Sequence, residues 1–339
     1  MKKLRKIDLY LIPLFFVTIA ASILRTIALL TSFDTVSGHF DNKITIAVAS
    51  GIVLLSVIGF ASYLFLGEKE RKLIARSNNA ASYIPAGIVS IALIFMGAHS
   101  ISVAFDFHPS GIISPLAIVC ALLAFLSAGS FLVSVFIEKN EHLYKAIFSL
   151  SIVFFLALYS VMLFFNNEVR PTNSPNKIVD QMAFLSAAIF FLFESRICIG
   201  RAKWRGYVGF GLIACLLTAY SSIPSLIVYV ANGNIVSDSL VESILSLAIS
   251  VFIFSKVLQS RTLTPAEECD AAKSISVLAS RREEEIREQR KLSRTHAYNN
   301  IVENDDTEDA ANYTFDLPEA EPETDFTPEG ADQDLPHND

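Results

Sequence analysis

Ionisable side chains are scarce in the apolar stretches of this chain, and those present fall into two sets. Arg25, His99, Asp106, Asp180 and Glu242 lie toward one end of their stretches, Glu194 and Lys256 toward the other. A charge in hydrocarbon is costly, so such residues face protein or a water-filled cavity, where they mark sites or fix register. In the first set, Asp180, Glu242 and His99 offer a place for a cation, a proton or a polar ligand. The competing reading is a group of ion pairs and end-anchors. His99 and Asp106 are seven residues apart, two turns along one helical face. In the second set the spacing is the argument. Asp180 and Glu194 are 14 residues apart, as are Glu242 and Lys256, so each pair shares a face over about 21 Å. If the two helices face one another, Glu194 pairs with Lys256.

Nothing else in the chain reads as chemistry. It has no phosphate-binding loop ending in GK[ST], no HExxH, no GxSxG and no kinase-type set. Cys120, Cys198, Cys215 and Cys269 lie far apart without CxxC or Cys/His spacing and read as reduced packing residues. No catalytic residue, metal site, cofactor or nucleic-acid partner is expected.

The elements that must carry these residues are membrane spans. Of the 339 residues 52% are hydrophobic, with 26 Phe and a single Trp, too apolar for an ordinary soluble domain. Stretches of about 20 apolar residues match the bilayer core. They are placed at 9–31, 44–66, 83–105, 112–137, 146–165, 178–199, 207–231 and 240–258. The opening MKKLRK and the apolar run after it resemble a signal peptide. The run continues to Leu30, too long for that, and reads as a retained first helix. One set of span ends carries 16 Lys and Arg, the opposite set three: Lys43, Arg170 and Lys177. Basic residues stay on the cytoplasmic side of short loops, so both termini are read as cytoplasmic.

Internal similarity accompanies this pattern. Leu55-Ser56, Leu126-Ser127, Leu185-Ser186 and Leu245-Ser246 recur on the four inward-running spans, with Phe60, Phe131 and Phe190 four positions beyond the first three serines. His99-Ser100, Tyr159-Ser160 and Tyr220-Ser221 recur on outward-running spans at intervals of 60 and 61. Four copies of one antiparallel hairpin follow, each inward Ser allowing close approach or bonding a neighbour. In the seventh span Pro224 removes a backbone bond to Tyr220 and predicts a kink, with nearby serines satisfying the freed groups. Gly206, Gly209 and Gly211 allow close approach there, and Trp204 and Tyr207 read as interfacial anchors.

The formal charge of −7 hides two regimes. Residues 298–339 hold 14 Asp and Glu and no Lys or Arg, leaving residues 1–297 at about +7. Thr264-Pro265-Ala266-Glu267 reads as a helix start. The fold class is therefore an all-α polytopic membrane protein: eight transmembrane helices in 1–258, a cytoplasmic charged helix in 259–297, and a disordered acidic tail in 298–339. The functional expectation is a non-enzymatic sensor, scaffold or assembly factor of a bacterial-type plasma membrane. Its partners would be the lipid bilayer and a cytoplasmic protein held by the tail. The alternative is a secondary transporter or channel for a small solute, proton or ion.

Overall fold

The computed structural model describes residues 7–34, 39–66, 80–105, 111–136, 142–165, 174–198, 203–233, 239–260, 281 and 284–293. Two compact units are distinguished, Met1–Ala279 and Ser280–Asp339. In the second, residues 284–293 are helical and exposed along their whole length. The acidic stretch 298–339 and Asp106 lie outside the described residues.

The first unit contains α1 (Asp8–Ser32), α2 (Lys43–Leu66), α3 (Ala80–Ala104), α4 (Ile113–Phe136), α5 (His142–Phe165), α6 (Pro175–Cys198), α7 (Trp204–Asn232) and α8 (Leu240–Gln259). Among the described residues, seven of them are long and apolar enough to cross a membrane. A helical membrane protein is the consistent description. Many large apolar side chains point outward, among them Phe65 at 79% and Val230 at 84% exposure. Lipid is the solvent that tolerates such a surface.

Helices α3 to α8 each pack on the next, and α8 returns to α3, which closes a ring. Helices α1 and α2 pack on each other and on α7. Three aromatic rings fill the ring's interior: Phe131 of α4, Phe191 of α6 and Phe252 of α8, with centroids 5.2–5.8 Å apart. The third member is thus Phe191. Phe190, in the sequence motif, turns to Tyr207 of α7.

Helix α7 is the hub because its first turns lack side chains on three sides. A Cβ on Gly206, Gly209 or Gly211 would meet Phe193 of α6, Leu64 of α2 or Val257 of α8 at 2.4, 2.7 and 2.5 Å. Without lipid exclusion between apolar helices, such close backbone approach is a main source of packing energy. Trp204 and Tyr207 are buried at 5% and 2% exposure, packed inside the bundle where interfacial anchors were expected. The repeated serines divide. Ser127 meets Ser151 Oγ of α5 at 3.1 Å besides donating to its own Leu123 carbonyl at 2.6 Å, and Ser246 donates to the Thr218 carbonyl of α7, so both join neighbours. Ser56 and Ser186 donate instead to carbonyls of their own helices, at Ile52 and Ala183.

A candidate polar site around one turn of α7

Proline at 224 cannot donate to the carbonyl four residues earlier, so Tyr220 O needs another donor. Arg25 supplies it. From α1, Nη1 donates to Tyr220 O at 2.7 Å, and the guanidinium carbon sits 4.7 Å from the centroid of the Tyr220 ring. The serines expected at this carbonyl bond elsewhere: Ser222 Oγ donates to Thr218 O and Ser225 Oγ to Ser221 O. With the freed group satisfied from α1, α7 continues as helix through Pro224.

Arg25 also reaches α6, where Nη2 donates to Asn176 Oδ1 at 3.1 Å. One turn on, and on the same face as Asn176, Asp180 accepts from Ser221 Oγ at 2.5 Å. The start of α6 explains why its side chains arrive here. Ser174, buried, precedes Pro175 at the first helical position. Lys177 folds back so that Nζ lies 3.4 Å from the Phe164 carbonyl at the end of α5, where a cation complements the helix dipole. On the other side of Asp180, Gln181 and Ser160 of α5 exchange bonds of 3.4 Å with each other's backbone carbonyls.

Glu242 comes from α8. Ser239 caps this helix by accepting from the Glu242 backbone N–H at 3.1 Å, in a Ser-x-x-Glu sequence. The register against α7 is set by Ser246 on Thr218 O and Ser250 on Cys215 O, at 3.1 and 3.2 Å. One turn further out on that face, Glu242 falls level with Ser222. Residues 220–222 of α7 are therefore ringed by Arg25, Asn176, Asp180 and Glu242, drawn from three other helices. Arg25, Lys177, Asp180 and Glu242 are 1%, 1%, 3% and 2% exposed. Their formal charges cancel.

His99 is half-buried on α3, which packs on α8. At the opposite end of the helices, Lys256 Nζ lies 2.9 Å from Glu194 Oε1 and 5.5 Å from the Phe252 centroid. That pair bridges α6 and α8 beneath the aromatic trio. Among the described residues no group of three His, Cys, Asp or Glu is placed to hold a metal ion.

Sequence reasoning named Arg25, Asp180 and Glu242 but passed over Asn176, Lys177, Tyr220 and Ser221 as members of the cluster. One signal was available: Pro224 points to Tyr220 as a carbonyl that needs a donor. Lys177 was counted with the loop charges, although it is buried. No protein-family model, curated protein or solved structure matches the chain.

Proposed function

We propose that this protein is a non-enzymatic sensor or scaffold of a bacterial-type plasma membrane, with a polar receptor site toward the outer face and a cytoplasmic tail that holds a protein partner. In this reading all eight helices cross the membrane, both termini are cytoplasmic, and 298–339 is a disordered acidic segment. The observation that carries it is the layering of the ring. A charge-balanced polar cluster lies at one end, Glu194 and Lys256 at the other, and Phe131, Phe191 and Phe252 close the space between. A continuous polar path would suit a transporter or channel; an aromatic plug between two polar layers suits a receptor that signals without passing solute.

The same contacts support a hairpin repeat. The second helix of one hairpin packs on the first of the next, α4 on α5, α6 on α7 and α8 on α3. The trio recurs at intervals of 60 and 61, the intervals of His99, Tyr159 and Tyr220. Under this reading the first hairpin, α1–α2, stands outside the three-hairpin ring and delivers Arg25 to it.

The test combines two measurements on purified protein. Cross-linking in cells followed by purification should recover a cytoplasmic partner with the full chain and lose it on deletion of 259–339. Reconstituted liposomes should show no solute flux. Flux that disappears in Asp180→Asn would overturn the reading in favour of transport.

A further inference from the structure

Two buried polar atoms beside Arg25 lack a hydrogen bond, and both belong to residues the guanidinium already touches. Asn176 accepts from Arg25 through Oδ1 while its Nδ2 has no partner among the described residues. Tyr220 lies under the guanidinium while its hydroxyl has none. Each residue is 1% exposed. A buried donor left without its bond is unfavourable, so a pair of them next to one cation is a standing invitation to an acceptor.

We propose that this cluster binds a small zwitterion, with its carboxylate accepting from Asn176 Nδ2 and the Tyr220 hydroxyl in the field of Arg25, and its ammonium directed toward Asp180 and Glu242. Three features select that class. Donors and carboxylates are offset along the helices: Arg25 and Asn176 meet at the Tyr220 carbonyl, whereas Asp180, one turn further along α6, meets Ser221, and Glu242 falls level with Ser222. The buried charges already cancel, so a net-charged ligand would bring an uncompensated charge into low dielectric, whereas a zwitterion adds none. Asn176 and Asp180 are one turn apart on α6, about 6 Å along its axis. That spacing suits a carboxylate and an ammonium on the same or neighbouring carbons, as in an amino acid. The inference deepens the receptor reading by naming what the outer site would detect.

Thermal unfolding of the full chain in detergent tests it, with the twenty standard α-amino acids and γ-aminobutyrate at millimolar concentration as probes, beside acetate and methylammonium, which carry one pole each. A shift to higher temperature is expected from at least one zwitterion and from neither single-pole ion, because a ligand that binds only the folded state stabilises it. Tyr220→Phe keeps the ring over Arg25 and removes the unpartnered hydroxyl. Its unliganded midpoint should be unchanged or higher, and its affinity for the stabilising zwitterion at least ten-fold weaker. The proposal is overturned if no zwitterion shifts the midpoint, if acetate alone reproduces the shift, or if Tyr220→Phe binds as tightly as the parent. Any of these leaves the tail-dependent partner assay standing. Conversely, liposome flux of a bound zwitterion would support the site and overturn the non-transport reading.

Discussion

At one end of the helices Arg25, Lys177, Asp180 and Glu242 are 1–3% exposed, and the first three are tied across α1, α5, α6 and α7 through backbone carbonyls, an amide and a hydroxyl; at the other, Glu194 and Lys256 form one ion pair, each side chain 16–17% exposed. Proximity of opposite charges is common to both ends; access to water separates them. A buried charge that loses its partner has nothing to turn to, and its desolvation is left uncompensated. A charge at a helix end can extend its chain to the interface and rehydrate. The first arrangement therefore carries structural weight, and the second mainly sets register between α6 and α8.

Arg25→Gln should break that contrast most severely. It strands the Tyr220 carbonyl beside Pro224 and unbalances three buried charges, so a loss of about 3–5 kcal/mol in equilibrium unfolding is expected. A second substitution separates the two causes. Pro224→Ala restores an amide that can donate to Tyr220 O within α7, and Arg25→Gln should then cost about 1–2 kcal/mol less than it does in the parent. Equal cost in both backgrounds would mean that the guanidinium does not serve that carbonyl.

Much of this architecture was open to reading in the residues, for reasons specific to each part. Helix positions follow from apolar length, so 44–66 and 83–105 differ by only a few residues from α2 and α3. Arg25 stood out because a guanidinium so deep in an apolar run is rare. Its main partner did not, because that partner is a backbone carbonyl and carries no side-chain signature; only the position of Pro224 betrays it. Spacing on α6 and α8 named Glu194 with Lys256 as a pair to look for, and the structure places them 2.9 Å apart. The trio was hidden by a shift in position. Its members lie four, five and six residues after Ser127, Ser186 and Ser246, so a fixed offset catches Phe131 and misses Phe191 and Phe252. Trp204 and Tyr207 were misjudged because an aromatic at the start of a span fits both an interface and a buried helix crossing, and the glycines beside them decide for the crossing.

Lys256→Gln probes the lenient end and should have the smallest effect. Glu194 keeps access to water, so the loss is that of a partly exposed ion pair, about 0–1 kcal/mol, and it should shrink further as salt is added. The Phe252 ring adds a cation contact at 5.5 Å, worth about 0.5–1 kcal/mol at such exposure, which Lys256→Arg should retain and Lys256→Gln should lose. If Lys256→Gln instead destabilises the protein as much as Arg25→Gln does, the two ends are equally desolvated in the membrane. The pair would then act as a second buried lock beneath the aromatic trio, and exposure measured on the protein alone would be the wrong guide to which charges water can reach.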